Sequence, residues 1–212
     1  MKLPVCPDFV YLASQSPRRA QLLTQLGVRH ELLLADDNEE DVEALEAVES
    51  NETPTAYVKR VTALKLDAAI TRMVRRGLPE APVLCSDTTV ALGCRVFGKP
   101  ESESDAQRML EALAGRTHRV LTGVAVQAVN VKNCAGLRHS ACSVSKVQFE
   151  AMTVAQITAY VATGEPMGKA GAYAVQGMAA RHIQHISGSY SGIMGLPLYE
   201  TAQLLRAAGL AV

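Results

Sequence analysis

Four short segments of the sequence carry charged or hydroxyl side chains that could bind a ligand or do chemistry, and three of them also contain glycine or proline. In the first, Ser14–Arg19 (SQSPRR), two serines and two arginines lie between a strand-like apolar run and a helix-like segment. Amides at a helix N-terminus and arginine guanidinium groups both bind phosphate oxygens. An ordinary capped helix with two solvated arginines explains this segment equally well. It lacks the glycines of a P-loop or a dinucleotide fingerprint, so those two motifs are excluded.

The second segment places an acid inside an apolar run, at Cys85–Val90 (CSDTTV). A charge in a buried strand is costly unless it is paired or binds a metal ion, so Asp87 is a candidate general base or metal ligand. The alternative is an aspartate at the end of a strand that only forms a local turn. Lys99 follows in Gly98–Pro100 (GKP), where a lone lysine is usually a solvated loop charge.

Two glycine-rich segments complete the set, at Gly168–Gly177 (GKAGAYAVQG) and Gly188–Leu198 (GSYSGIMGLPL). Glycines allow the backbone to approach a ligand closely, and Lys169 and Gln176 add polar groups to the first of these segments. A role in turns alone would explain both segments as well. Each of the four segments, taken singly, is weak evidence for a site.

The elements that must position these segments alternate between strands and helices, which predicts the α/β class. The longest predicted helix begins at Thr53–Pro54 and ends near Arg76, and helices are also predicted after Ser16, Ser102, Thr153 and Pro197. Five strands are predicted, at Phe9–Ala13, His30–Ala35, Val83–Leu92, Thr117–Val131 and Ser140–Glu150. The inner positions predicted for the long helix are Val58, Val61, Leu64, Ala68 and Met73.

Composition excludes several classes of function. The 21 basic and 21 acidic side chains give a net charge of zero, which argues against a nucleic-acid binder with a broad basic face. No segment is long and apolar enough to suggest a signal peptide or a membrane span. The five cysteines are odd in number and show no C-x-x-C spacing, so no disulfide framework is predicted. We therefore expect a cytoplasmic protein that binds neither membranes nor nucleic acid.

Three other groups of polar residues favour structural interpretations. His118 is predicted to be a hydrogen-bonded strand residue rather than a catalytic one. His182 and His185 are spaced to share a metal ion on a helix, but no third ligand is near in sequence, so solvated or packed histidines are expected. The acidic run Glu39–Glu52 is predicted to be a solvated surface.

The combination and order of the motifs resembles the Maf proteins, of the inosine-triphosphatase-like superfamily, from about Tyr11 to Leu205. The resemblance implies one domain, residues 1–212, with an elongated, curved mixed sheet flanked by helices and two lobes around a deep cleft. It also implies a nucleoside-triphosphate pyrophosphatase that uses a divalent cation (Mg²⁺, Mn²⁺ or Co²⁺) and forms homodimers.

Two branches of the Maf family differ in the residue after the key aspartate, Thr or Gln, and at a later Q-G or E-G pair. Asp87–Thr88 and Val175–Gly177 (VQG) resemble the branch that acts on dTTP and UTP rather than the one that acts on 7-methyl-GTP. The resemblance makes Asp87 the general base and a metal ligand, and Glu39 a second metal ligand. It places substrate contacts on Ser14, Arg18, Arg19, Lys65, Thr88, Lys99, Lys169 and Gln176. The alternatives are a non-catalytic nucleotide-binding regulator of cell division or RNA metabolism, and the 7-methyl-GTP branch.

Overall fold

A computed structural model of the chain describes residues 8–36, 45–128 and 136–212. Within these residues seven strands form one mixed sheet that is flanked by helices, as the α/β prediction requires. The strands are β1 (Phe9–Leu12), β2 (Arg29–Leu32), β3 (Val83–Leu92), β4 (Arg95–Phe97), β5 (Thr117–Gln127), β6 (Arg138–Phe149) and β7 (Ile183–Ser187). Their order in the sheet is β2-β1-β3-β5-β6-β7, and β4 pairs with β3.

The middle of the sheet is built from the three longest strands, β3, β5 and β6, which pair antiparallel, whereas β1 is parallel to both β2 and β3. Strand β3 is central and almost continuously buried, because helices or loops cover both of its faces. The β3–β5 register sets Asp87 opposite Gly123 and Thr88 opposite Thr122. An acid therefore lies in the middle of a buried strand and not at its end, which excludes the local-turn alternative for Asp87.

The helices begin where the sequence provides caps. The long helix α2 begins after Thr53, whose hydroxyl accepts the Ala56 amide, and α4 begins with a complete capping box between Thr153 and Gln156. The helices are α1 (Pro17–Gln25), α2 (Pro54–Arg75), α3 (Glu103–Leu113), α4 (Val154–Val161), α5 (Tyr190–Met194) and α6 (Leu198–Ala207), with short 3-10 turns at Ala170–Ala172 and Met178–His182. Ser16 precedes α1 but makes no side-chain capping bond, so the first amides of α1 are not satisfied by its hydroxyl.

The core is largely aliphatic, as the composition predicts, with one aromatic cluster. His118, Phe149 and Tyr173 pack edge to face with ring centroids 4.9–5.4 Å apart. The hydroxyl of Tyr173 lies 2.8 Å from His118 Nε2 in the buried interior. The prediction that His118 is a structural, hydrogen-bonded residue is confirmed.

Some boundaries and inner positions differ from the prediction. Strand β2 ends at Leu32 rather than Ala35, because its partner β1 ends at Leu12 and leaves nothing parallel to pair with. The prediction that Leu64 is an inner position of α2 is wrong: its side chain is 36% exposed, while Leu66 is fully buried. The part of the predicted strand Thr117–Val131 beyond residue 128 lies outside the described residues, as do Cys6 and Cys134.

Two further expectations bear on the environment of the protein. No helix among residues 8–36, 45–128 and 136–212 is both long and apolar enough to cross a membrane. The three cysteines that the structure describes, Cys85, Cys94 and Cys142, are free thiols. The predicted division into two lobes stays a prediction.

Candidate active site

A cleft of about 570 Å³ opens between β3, the segment that leads into α1, the segment that follows β2, helix α2 and the glycine-rich segments. Nine of the ten residues predicted for the site line this cleft: Ser14, Arg18, Arg19, Lys65, Asp87, Thr88, Lys99, Lys169 and Gln176. The tenth, Glu39, lies outside the described residues. Segments separated by up to 160 residues of sequence are therefore brought together around one cavity.

Asp87, at the centre of the cleft, is 7% exposed and pairs with a lysine from α2. Lys65 Nζ lies 2.5 Å from Asp87 Oδ1 and 2.6 Å from Glu46 Oε1. Lys99 Nζ lies 3.2 Å from the same Glu46 oxygen. Two carboxylates and two lysines thus alternate in one chain of ion pairs, and one ammonium group bridges both acids.

The charges in this chain of ion pairs fix its protonation. Burial lowers the pKa of Lys65, but Asp87 and Glu46 together outweigh burial, so the pKa lies above its ordinary value. Burial likewise raises the pKa of Glu46, and Lys65 and Lys99 outweigh it, so that pKa lies below its ordinary value. Lys65 is therefore a permanent cation near neutral pH, and Glu46 a permanent anion.

Arg19 is held by a network that extends from α1 to the second glycine-rich segment. Its Nε donates to the Gly195 carbonyl at 2.8 Å and its Nη1 donates to Ser14 Oγ at 3.0 Å. Its Nη2 lies 3.4 Å from Thr88 Oγ1. Burial lowers the pKa of Arg19, and the nearby Asp87 opposes that shift. These bonds fix the guanidinium group with one edge toward the cleft.

The hydroxyl of Thr88 takes its direction from a neighbouring threonine. Thr122 Oγ1 donates to the Gly192 carbonyl at 2.7 Å, which uses its only proton. Thr88 Oγ1 lies 3.0 Å from Thr122 Oγ1 and must therefore donate to it. Because Thr88 also accepts from Arg19, one acceptor lone pair is left to face the cleft.

Lys99 and Lys169 share one support, although 70 positions separate them. The amide of Gly171 donates to the Gly98 carbonyl at 2.9 Å, which joins the two lysine-bearing loops. Lys169 Nζ donates to the carbonyls of Glu165 and Met167, at 2.5 and 3.4 Å. Burial and then the nearby Arg18 lower the pKa of Lys169, as expected for cations gathered around an anion site.

Arg18 and Gln176 differ from the other site residues because their side chains make no hydrogen bond within the described residues. Gln176 is exposed at the rim of the cleft, between the two 3-10 turns, and Arg18 is half-buried beside Lys169. Both side chains therefore have their full hydrogen-bonding capacity available for a ligand.

Glu46 is a residue that sequence analysis missed. It belongs to the acidic run Glu39–Glu52. The prediction that this run is a solvated surface is confirmed for residues 47–51, which are exposed, and is wrong for Glu46 and Glu52, whose side chains are largely covered in ion pairs. The Tyr57 hydroxyl donates to the Glu46 carbonyl, and Arg60 donates to Glu52 and to the Ala47 carbonyl. These bonds hold the segment against α2. The sequence offered no signal, since an acid in an acidic loop is usually solvated.

The histidines lie away from this chemistry. Burial lowers the pKa of His118 to about 4, so it stays neutral near pH 7. His182 is buried and its Nδ1 lies 2.8 Å from Glu150 Oε1, while His185 is exposed on β7. Among the described residues no three His, Cys, Asp or Glu side chains are grouped as a metal site would require. The expectation of packed or solvated histidines is confirmed.

The cleft thus presents five cationic side chains of the predicted set and two carboxylates, in space for a nucleotide. A set of fixed cations around one buried acid suits a polyanion such as a triphosphate. Asp87 and Glu46 both offer oxygen to the position that the Lys65 ammonium group now fills. Hard oxygen donors of this kind fit Mg²⁺ or Mn²⁺, whose remaining ligands in nucleotide sites are phosphate oxygens and water.

Comparisons with known proteins agree over nearly the whole chain. Residues 9–208 match the family model described as Maf-like protein. The chain is 66% identical over 205 residues to the dTTP/UTP pyrophosphatase of Polaromonas sp. (strain JS666), covering 97% of this chain and 98% of that protein.

Similar proteins in other bacteria carry the same name. The chain is 64% identical to the dTTP/UTP pyrophosphatase of Albidiferax ferrireducens, covering 97% of this chain and 99% of that protein. It is 62% identical to that of Cupriavidus pinatubonensis, covering 96% and 98%. Because the matching family model spans the sheet, the cleft and all the described site residues, the chain belongs to the Maf-like protein family.

Proposed function

We propose that this protein is a nucleoside triphosphate pyrophosphatase that hydrolyses dTTP and UTP between the α- and β-phosphates, which yields the nucleoside monophosphate and pyrophosphate. The observation that carries the proposal is Asp87, buried in mid-strand at the centre of a cleft that five cations line. Relatives at 62–66% identity, named dTTP/UTP pyrophosphatases, support it.

The cations solve the main chemical problem, which is to bring water to a highly anionic ligand. Arg19 is fixed by three partners, and Lys99 and Lys169 share a backbone support, so these charges are in place before substrate binds. Groups that need no reorganisation stabilise developing charge best. The Arg18 side chain makes no hydrogen bond within the described part of the chain and is available to a phosphate oxygen. The departing pyrophosphate would leave between these side chains.

Asp87 and Glu46 are the described residues that would hold a divalent cation, with Glu39 as a further candidate from the sequence. A bound Mg²⁺ or Mn²⁺ supplies charge neutralisation at the phosphates and a more acidic water. The two carboxylates would release Lys65 to the phosphates in that state, because one ammonium group now occupies the position between them.

Asp87 is the residue that we assign to water. A carboxylate can orient the attacking water and accept its proton while the water oxygen bonds to the α-phosphorus and the P–O bond to the departing pyrophosphate breaks. Lys65 cannot take that proton near neutral pH, because its pKa lies above the ordinary value once burial and its two acidic partners are combined. Before a cation binds, its ammonium group holds Asp87 Oδ1 in place at 2.5 Å.

Gln176 and Thr88 are suited to uracil and thymine. These bases present carbonyl acceptors beside the N3–H donor, and an amide answers both with its own donor and acceptor. The Thr88 hydroxyl, whose proton points to Thr122, can only accept from the base, which matches N3–H. In this register the N3 acceptor of cytosine faces the Thr88 oxygen, which cannot donate to it, so cytosine is not seated against the Gln176 amide. The arrangement therefore favours UTP and dTTP over CTP.

The experiment incubates the protein with dTTP or UTP and Mg²⁺ or Mn²⁺, and separates monophosphate and pyrophosphate by chromatography. Asp87→Asn keeps the shape and removes the charge, and we expect its kcat to fall by about a hundredfold or more. Circular dichroism and thermal melting check that the variant folds. Near wild-type turnover in Asp87→Asn refutes the assignment of Asp87.

The same assay decides between this proposal and its alternatives. Nucleotide binding without any product would favour the non-catalytic regulator. Faster hydrolysis of 7-methyl-GTP than of dTTP would favour the other branch of the family, which the pair Asp87–Thr88 and the residue Gln176 argue against. Including 5-methyl-UTP shows whether modified pyrimidine nucleotides are better substrates than UTP.

We also propose that the protein acts in the cytoplasm as a homodimer, as the family resemblance implies. The free thiols of Cys85, Cys94 and Cys142 are compatible with a reducing compartment. Size-exclusion chromatography with light scattering measures the mass in solution directly. A mass near that of one 22.6 kDa chain would contradict the dimer.

A further inference from the structure

Glu165 lies outside the predicted site, yet its carboxylate contacts the segment that carries Gln176. Its Oε1 accepts the Tyr160 hydroxyl at 2.8 Å and its Oε2 accepts the Met178 amide at 3.0 Å. The Tyr160 hydroxyl in turn lies 3.4 Å from the amide nitrogen of Ala174. The pair Tyr160–Glu165 is therefore bonded at both ends of the five-residue segment whose central residue is Gln176.

Gly177 shows how closely the carboxylate packs against this segment. A Cβ atom at Gly177 would lie 2.4 Å from both carboxylate oxygens of Glu165, a distance that no side chain tolerates. The glycine thus leaves room for the carboxylate to reach the amide beyond it. Gln176 is adjacent, and since its side chain makes no hydrogen bond to any residue that the structure describes, the backbone determines where it lies.

The backbone of Glu165 supports the phosphate end of the same loop. Its carbonyl accepts Lys169 Nζ at 2.5 Å, while its carboxylate lies on the side of Gln176. The side chain and the main chain of Glu165 therefore serve different parts of the cleft. A substitution at Glu165 that keeps the backbone alters the support of Gln176 and leaves the carbonyl for Lys169 in place.

We propose that Glu165 is a positioning residue for base recognition, which acts through Gln176. Its carboxylate, with Tyr160, fixes the segment Ala174–Met178 so that the Gln176 amide faces the uracil or thymine edge. The inference rests on the proposed function for the identity of the base. It goes beyond that function by assigning nucleotide selectivity to a side chain that does not contact the substrate.

The test measures binding and turnover of UTP and CTP in the wild type, Glu165→Ala and Tyr160→Phe. Binding is measured by calorimetry in EDTA, and kcat/KM is measured with Mg²⁺. In Glu165→Ala we expect the UTP-to-CTP ratio to fall about fivefold or more, because UTP loses the amide that Glu165 positions, whereas Thr88 already keeps CTP from seating against that amide. Tyr160→Phe removes the hydroxyl that bonds to Glu165 and Ala174, but it keeps the ring and the bond between Glu165 and the Met178 amide. An intermediate fall in the ratio is therefore expected.

The decisive control repeats Glu165→Ala in the Gln176→Ala background. If Glu165 acts through Gln176, adding Glu165→Ala to Gln176→Ala changes the UTP-to-CTP ratio by less than about twofold. Equal losses for UTP and CTP, or a fall in the ratio that persists without Gln176, would overturn the inference, as would a wild type that binds both nucleotides equally. Selective binding of UTP without hydrolysis would instead refute the proposed function and leave the inference standing.

Discussion

The substitution Gln176→Glu tests the link between the structure of the cleft and its substrate. Gln176 is exposed and has no hydrogen bond within the described residues, so the change should leave stability within about 0.5 kcal/mol. Its effect must then appear in substrate recognition. A carboxylate only accepts hydrogen bonds, so it repels a uracil carbonyl that the amide of Gln176 could satisfy.

The size of the effect follows from one unmatched polar group. When the base covers position 176, a carbonyl facing a carboxylate loses its donor, at a cost of about 1–3 kcal/mol. We therefore expect kcat/KM for UTP and dTTP to fall roughly 5- to 150-fold. For 7-methyl-GTP, whose guanine edge presents N–H donors and whose ring is cationic, activity should be unchanged or higher.

The assay is the ratio of kcat/KM for UTP to that for 7-methyl-GTP in the wild type and the variant. Gln203→Glu is the matched control, since Gln203 is an exposed glutamine on α6 and is not among the residues that line the cleft. If Gln176→Glu moves the ratio by less than about twofold, roughly 0.4 kcal/mol, Gln176 does not read the base. The substrate assignment then loses its physical basis.

Three further predictions concern the groups that support the cleft. Gly171→Ala should lower the melting temperature more than the matched control Gly27→Ala. Both glycines have positive φ, but a Cβ atom at Gly171 would lie 2.8 Å from the Val90 side chain, whereas a Cβ atom at Gly27 would have no atom of the described residues within 4 Å. Equal losses would contradict a packing role for Gly171. Lys65 and Lys99 lower the pKa of Glu46 in the folded state. The stability that the Glu46 ion pairs contribute is therefore fully present above the pKa of Glu46 in the unfolded chain and is lost as the pH falls through the lower pKa of the folded state. The melting-temperature difference between the wild type and Glu46→Gln should therefore shrink as the pH falls below about 4, and a difference that grows in acid would refute this pairing. Burial lowers the pKa of His118 to about 4, so its NMR imidazole resonances should stay constant from pH 8 to pH 5, and a midpoint near 6.5 would contradict its burial.

The sequence by itself determined the local structure and most of the site residues. Thr53–Pro54 and the pair Thr153 and Gln156 mark helix starts through bonds between neighbours in the chain, so both could be predicted from sequence. Strand β3 was predicted with its observed ends, because an apolar run bounded by turn residues reports burial directly. The order of the motifs also indicated the family.

Local patterns could not decide pairings between distant segments. In the sequence, Glu46 does not differ from the other acids of the run Glu39–Glu52. Its carboxylate reaches Lys65 only because Tyr57 and Arg60 hold this segment against α2. The hydrophobic periodicity of α2 likewise predicted Leu64 as an inner residue, although its side chain is exposed. Periodicity along a helix does not show how far the strands and loops that pack against it extend.

Tertiary structure alone decided the direction of hydrogen bonds in the cleft. The proton of Thr88 points away from the ligand because the Thr122 hydroxyl already donates its own proton to the carbonyl of Gly192, a residue of α5 that is 70 positions away in sequence. Glu165 reaches the segment of Gln176 because Gly177 leaves room for a carboxylate. Residue types and spacing give the chemistry that is available, whereas the orientation of each donor and acceptor depends on its partners in space, which only the folded chain provides.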